Sequence, residues 1–188
     1  MNLEEVDASA WSSLEAATAD PQSGFRFINL CSVDAAGRPQ ARMVVLRRVD
    51  TVARLIEIHT DTRSPKWLEL SRNPTVTILG FSASTRVQLR LAGVVHLHSA
   101  GSELAEKAWS GLSVWPRSTY AGGPPGDEPR NLELVPARGE ADGKAFFGVV
   151  SFRAESLDWF ELRRADNRRA VFKYSHLGAV VASRWINP

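Results

Sequence analysis

Alternation of apolar and polar positions is clearest between residues 86 and 99, where Val87, Leu89, Leu91, Gly93, Val95 and Leu97 share one face and Gln88, Arg90, His96 and His98 the other. The pattern predicts a half-buried strand. Shorter β-branched and apolar runs predict strands over 25–33, 41–48, 55–59 and 75–81. A turn at 34–39 joins the first two as a hairpin, and 55–59 is expected to pair with the second. The last third reads as an antiparallel meander over 144–153, 157–163, 168–174 and 179–186. Helical spacing of Trp11, Leu14 and Ala17 predicts an amphipathic helix over 6–19, ended by Asp20-Pro21-Gln22-Ser23-Gly24. A short helix follows Ser64, with Ser64 as N-cap, Pro65 at the first helical position and Asn73-Pro74 as its stop. A third spans 102–112, with Leu104, Ala108 and Leu112 in a stripe and Trp109 near it.

Strands outnumber helices, so the pattern predicts a mainly β fold with peripheral helices, a small antiparallel barrel. With 188 residues and no break in composition, a single domain over 1–188 is expected. Residues 1–24 form its N-terminal helical segment and 114–131 a Pro/Gly-rich connection, long enough to be a lid or a plain surface loop. Hydrophobic residues make up 44% of the chain and charged ones 23%, and no apolar run approaches membrane-spanning length, so no membrane partner is expected. The start Met1-Asn2-Leu3-Glu4-Glu5 lacks the basic-then-apolar order of a signal peptide, which predicts a cytoplasmic location. The lone Cys31 cannot form an internal disulfide and reads as a small core residue.

Charge adds a different kind of information. The net charge is only +2, yet lysine occurs only at 66, 107, 144 and 173, and every other cation is Arg. Arg suits planar, bidentate contact with phosphates, although genome base composition would produce the same bias. Two cationic clusters stand out. The first runs from Arg42 through Arg47 and Arg63 to Lys66, where a helix start offers free N–H groups beside full charges; a capped surface helix with solvated cations has the same sequence. The second, Arg163, Arg164, Arg168 and Arg169, flanks the Ala165-Asp166-Asn167 turn. Gln88 and Arg90 project to one side, where an amide could meet a heterocycle and a guanidinium an anion; a solvated strand face is the plainer alternative. Arg117 and Tyr120 could reach a ligand from the 114–131 connection. His96 and His98 share a face without a third ligand nearby, so no metal site is assigned. Rossmann and P-loop turns, a Gly-x-Ser-x-Gly elbow and a His-Glu-x-x-His motif are absent from the sequence. The modest charge without interleaved aromatics argues against nucleic acid as a partner.

Arg42-Met43-Val44-Val45-Leu46-Arg47, followed by His59-Thr60-Asp61-Thr62-Arg63-Ser64-Pro65-Lys66, resembles the pyridoxamine 5'-phosphate oxidase-related family of FMN-binding split barrels. Arg86-Val87-Gln88, Phe146-Phe147-Gly148, Leu157-Asp158-Trp159-Phe160 and Trp185-Ile186-Asn187-Pro188 continue the likeness in order, so that it covers 25–188. The resemblance implies an FMN-binding split β-barrel and an FMN-dependent oxidoreductase. On it, Arg42, Arg63, Ser64 and Lys66 hold the FMN phosphate, while Met43, Val44, Val45, Leu46, Arg47, His59 and Thr60 line the flavin. Gln88 then bonds the pyrimidine edge, and Phe160 and Arg169 close the site from a partner subunit, implying a homodimer with FMN at its interface. Arg47 faces the reactive edge as the catalytic candidate. Departures are Arg47 for the family's Lys, His59 for its Tyr and Phe160 for its stacking Trp. The family's substrate-gripping Arg-x-His has no counterpart in Ala165-Asp166-Asn167-Arg168-Arg169, so pyridoxamine phosphate is not the expected substrate. A non-catalytic flavin or haem binder is the alternative class. Period-2 counting puts Arg42 and Arg47 on opposite strand faces unless a bulge intervenes.

Overall fold

A computed structural model describes residues 1–128 and 143–188. Its first helix, α1 (Leu3–Ala17), starts earlier than the apolar spacing predicts. Asn2 and Glu5 form a capping box, with the Glu5 N–H 2.9 Å from Asn2 Oδ1 and the Asn2 N–H 2.9 Å from Glu5 Oε2. Hairpin β1 (Phe27–Val33) and β2 (Pro39–Val45) follows. Next come β3 (Arg48–Asp50), β4 (Leu55–Asp61), α2 (Pro65–Arg72), β5 (Thr75–Ser82) and β6 (Val87–Ser99). After α3 (Glu103–Ser110) and α4 (Val114–Ser118), the chain closes with β7 (Phe147–Glu161), β8 (Arg168–Tyr174) and β9 (Val180–Ile186). All strand pairs are antiparallel in one sheet ordered β2-β1-β5-β6-β7-β4-β3, with β8 and β9 branching from β7. The sheet does not close, which is the architecture of a split barrel.

Three expectations change. First, the segment 41–48 is not one strand paired with 55–59. It breaks at Leu46 and Arg47, whose N–H groups donate to Arg26 O and Glu57 O at 3.0 Å, so that β2 stays on β1 while β3 takes β4. Leu46, fully buried, is the pivot of this change of partner. Second, 144–153 and 157–163 are one strand rather than two. Opposite Ala92 and Gly93 the register slips by one residue, leaving Glu155 bulged outward, and the apolar phase moves from Val150, Phe152 and Ala154 to Leu157 and Trp159. A Cβ on Gly93 would overlap the Arg153 carbonyl oxygen, so the bulge requires glycine there. Third, the 114–131 connection begins with helix α4; its residues 129–131 lie outside the described residues.

Side chains of α1 and the inner sheet face form the main core, among them Trp11, Leu14, Ile28, Leu30, Leu46, Ile58, Leu89 and Phe152. One polar group is buried within it by design of its partners: Asp7 accepts from Tyr174 Oη at 2.6 Å and from Arg54, while Trp11 Nε1 donates to that Tyr174 oxygen at 3.0 Å. This clamp ties α1 to β8 and to the β3–β4 turn. Ala105, Trp109, Phe147 and Val149 make a second, smaller cluster under α3, with Leu104, Ala108, Leu112 and Tyr120 packed against it. The opposite sheet face is left open. Register aligns Met43, Asn29, Leu79, Arg90, Asp158 and Val171 across it in one row, and Phe27 at 50%, Met43 at 67% and Phe81 at 45% exposure lie on it.

Candidate functional site

The end of β4 and the start of α2 bring the first cationic cluster together. Lys66 Nζ donates to Thr60 Oγ1 at 2.8 Å, and Thr60 Oγ1 lies 3.4 Å from Ser64 Oγ. Ser64 is buried and extended at the N-cap position, but its hydroxyl donates backward to Asp61 O at 2.7 Å and makes no capping bond, a correction to the expected cap. Burial, with Arg42 nearby, holds the Lys66 ammonium below its ordinary pKa. Arg63 is fixed by Asp61 through two contacts at 3.0 and 2.7 Å, stacks 3.7 Å from the Phe146 ring centroid and donates to Tyr120 O at 3.1 Å. The Asp61 bonds raise its pKa. Arg42 reaches across from β2 to Glu69 of α2 at 2.6 Å and to Ser32 Oγ. Arg42, Thr60, Arg63, Ser64 and Lys66 thus gather around the N-terminus of α2, with two of the cations already oriented by carboxylates.

Arg47 lies elsewhere. The β1–β2 register runs unbroken from Phe27–Val45 to Val33–Pro39, so no bulge lies between Arg42 and Val45, and Arg47 falls in the break where the chain changes partner. Arg42, Val44 and Leu46 share the inner face, while Met43, Val45 and Arg47 take the other. Arg47 is half-buried, with no ion pair or side-chain hydrogen bond among the described residues, and burial lowers its pKa. His59 is its neighbour. Burial and then the Arg47 charge push its pKa down to about 4, and its buried Nδ1 has no hydrogen-bond partner among the described residues. The His59 ring packs edge-on against Phe147 at 5.0 Å, and Tyr120 meets Phe147 at 5.1 Å. Burial raises the Tyr120 pKa while the Arg47 charge opposes the rise. Tyr120 is therefore part of the site wall, whereas Arg117 stacks over Trp109 at 5.6 Å and donates to Ser110 O. A cavity of about 340 Å³ opens beside Arg47 and His59, walled by Arg26, Arg48 and Glu57 on one side and by Leu104, Lys107, Ala108 and Leu112 of the α3 region on the other.

Gln88, Phe160 and Arg169 form a separate group, one row across β6, β7 and β8 on the open face. Asp158 holds Arg169 at 2.9 and 2.8 Å and also takes Arg90 at 2.5 Å. The Arg169 bonds lead the forces that keep the Asp158 carboxyl below the usual carboxylate range. Within one chain these three residues do not join the cluster at α2. His96 and His98 belong to neither group, and no set of three or more His, Cys, Asp or Glu side chains suited to a metal exists among the described residues. Sequence reasoning missed Glu69, Asp61 and Arg26 as the groups that orient the site. Arg26 donates to Ala17 O at 3.3 Å and Leu46 O at 3.1 Å and so braces the pivot beside Arg47. Only Asp61, two residues from Arg63, left a local signal.

The fold is an open antiparallel barrel with a cationic cluster at a helix start, and known proteins share that fold. Residues 8–99 match the family model described as pyridoxamine 5'-phosphate oxidase, FMN-binding domain. The chain is 26% identical over 158 residues to pyridoxine/pyridoxamine 5'-phosphate oxidase 2 of Arabidopsis thaliana, covering 78% of this chain and 77% of that protein. To the pyridoxine/pyridoxamine 5'-phosphate oxidase of Bordetella avium strain 197N it is 32% identical over 125 residues, 64% of this chain and 55% of that one. A pyridoxamine 5'-phosphate oxidase-related, FMN binding protein of Nostoc punctiforme PCC 73102 shares the fold with a TM-score of 0.81 at 23% identity over 96% of each chain. PhzG of Burkholderia lata 383, solved with tetrahydrophenazine-1-carboxylic acid, gives 0.75 at 17% identity over 96% of this chain and 90% of that one. The chain is thus similar to the pyridoxamine 5'-phosphate oxidase-related family of FMN-binding split barrels, and FMN is the cofactor that these matches indicate.

Proposed function

We propose that the chain is an FMN-dependent oxidoreductase, built as a single domain and working in the cytoplasm as a homodimer, whose substrate is not pyridoxamine 5'-phosphate. The observation that carries the reading is the donor cluster at α2, supported by a half-buried cation that has no counter-ion among the described residues and lies beside a cavity. The donor set fits the FMN phosphate. Lys66, Thr60 and Ser64 supply an ammonium and two hydroxyls in one notch, with Arg42 and Arg63 held beside it. Met43, Val44, Val45, Leu46, Arg47, His59 and Thr60 are the candidates for the flavin's surroundings. Bound FMN supplies two-electron redox chemistry that no side chain here provides. Arg47 contributes positive charge where negative charge develops on reduction, and its partial burial strengthens that contribution.

The separation of the two groups within one chain supports the homodimer. Gln88, Phe160 and Arg169 occupy an open face that also exposes Phe27, Met43 and Phe81, and a second copy would cover this apolar surface while bringing the row to the other chain's α2 cluster. Against pyridoxamine phosphate stands the structural commitment of the residues before Arg169. Asn167 Oδ1 accepts from the Arg163 N–H at 2.8 Å, and Arg168 stacks 4.3 Å from the Trp185 ring, so neither replaces the family's substrate grip.

The test combines loading with turnover. Purified protein reconstituted with FMN should show a bound-flavin spectrum, undergo anaerobic reduction and reoxidise in air within a single turnover, yet form pyridoxal phosphate very slowly or not at all. Efficient pyridoxal phosphate formation would overturn the substrate part. Tight FMN binding without a reduction and reoxidation cycle would instead mark a non-catalytic binder.

A further inference from the structure

The chain changes strand partner at a single peptide group. Register with β1 ends at Val45 opposite Phe27, and β3 begins on β4 at Arg48, so the peptide between Leu46 and Arg47 lies outside both ladders. Both of its polar groups are nevertheless satisfied. The Arg47 N–H donates to Glu57 O at 3.0 Å, and the Leu46 carbonyl accepts from Arg26 Nη1 at 3.1 Å. The Leu46 N–H completes the exchange by donating to Arg26 O at 3.0 Å. A strand interior would fill all these places with backbone groups. Here a side chain stands in for the missing strand neighbour.

The guanidinium is itself held from α1. The same Arg26 nitrogen donates to Ala17 O at 3.3 Å and to Thr18 O, the carbonyls of the last helical residue and the C-cap. The last turn of α1 has no basic residue of its own, so Arg26 supplies the cation that a helix C-terminus favours. A planar peptide held at its oxygen by Arg26 and at its nitrogen by Glu57 O cannot rotate about the line joining its two Cα atoms, one of which is that of Arg47. The direction in which the Arg47 side chain leaves the backbone is therefore set from the end of α1. We infer that Arg26 is a positioning residue, which fixes the Leu46–Arg47 peptide and through it the place of the Arg47 charge beside the flavin. The inference rests on the oxidoreductase reading for the flavin and on the bonds just described for the peptide. None of the hydrogen bonds of the α2 cluster passes through Arg26, so the phosphate grip is independent of it.

Burial first, and the Arg26 charge after it, lower the Arg47 pKa, so a direct charge effect of Arg26 has to be separated from a positional one. A double-variant cycle on the FMN-loaded protein makes the separation. Arg26→Gln should lower the flavin's reduction potential by about 30 mV, a tenfold shift of the two-electron equilibrium toward the oxidised form, with FMN affinity changed by less than about twofold. In the Arg47→Gln background the same substitution should leave the potential where it is. Its loss of stability, read as a lower urea midpoint, should persist in both backgrounds, because the α1 carbonyls lose their donor in either case. An unchanged potential in Arg26→Gln overturns the inference. So does an equal shift in both backgrounds, which would mean that the Arg26 charge acts on the flavin directly. Backbone relaxation of the protein without FMN supplies a second readout: the Arg47 amide should have an order parameter of about 0.85 in the unaltered protein and below about 0.6 in Arg26→Gln. A flexible Arg47 amide in the unaltered protein overturns the inference even if Arg26→Gln does not fold. Failure of FMN to bind would strike the oxidoreductase reading instead, and the relaxation measurement would still report on the peptide.

Discussion

His59 has exchanged water for the Phe147 ring and the Arg47 guanidinium, and its proton affinity records the exchange. Its folded pKa of about 4 lies below the unfolded value near 6.5, so between those values the unfolded chain binds the extra proton. The resulting stability is fully present above pH 6.5 and is lost as pH falls towards 4, up to about 3 kcal/mol in all. Urea midpoints measured at pH 7 and pH 4.5 should therefore differ, and His59→Phe should shrink the difference. An equal loss in both proteins would show that other groups set the acid limb. Lys66 makes a second claim at this scale. Lys66→Met removes an ammonium that donates to the Thr60 hydroxyl, and a charge-assisted contact contributes about 1.5–3 kcal/mol. FMN affinity should fall by roughly tenfold or more. Arg42→Ala is a less clean probe, because it also leaves the Glu69 carboxylate without its partner and loosens α2 from β2.

At the level of elements, β7 is the spine. It pairs with β6 along its length, with β4 at one end and with β8 at the other. The bulge at Glu155 lets one strand serve both neighbours by re-aiming its inner side chains halfway along. Gly93 makes that bend feasible. Gly93→Ala forces a methyl onto the Arg153 carbonyl and should cost roughly 1–3 kcal/mol, read as a lower urea midpoint with an unchanged slope. A neutral effect would mean that the bulge relaxes freely. The same bend explains why residues 144–163 read as two strands from sequence: a phase reversal at Ala154-Glu155-Ser156 looks like a turn when only periodicity is available.

For the molecule as a whole, the open sheet face carries the prediction. Phe81, 45% exposed, lies in the row of Gln88, Phe160 and Arg169. Phe81→Glu would set a charge into a dimer formed through that face, and sedimentation should then shift toward monomer while FMN affinity drops. In the unaltered protein, FMN should raise both the melting temperature and the dimer fraction, because a ligand that binds only the assembled state stabilises it by mass action. A monomer that still holds FMN tightly would falsify the shared site.

Local chemistry was legible in the residues alone: the alternation of 86–99, the stop at Asn73-Pro74, the Pro65 helix start and the run of donors from Thr60 to Lys66 each depend on neighbours a few positions away. Family motifs in order added the barrel and FMN, since they report a whole pattern at once. Tertiary structure decided the rest. Glu69 meets Arg42 from 27 positions away, Asp158 gathers Arg90 and Arg169 from two other strands, and Leu46 hands the chain from β1 to β4. No short window encodes such contacts, because a side chain's partner across a sheet is set by register and closure rather than by its neighbours in the chain. That is why Arg42 and Arg47, five residues apart in one basic run, stand in different places: one is held by the Glu69 carboxylate of α2, the other lies beside a cavity with no counter-ion among the described residues.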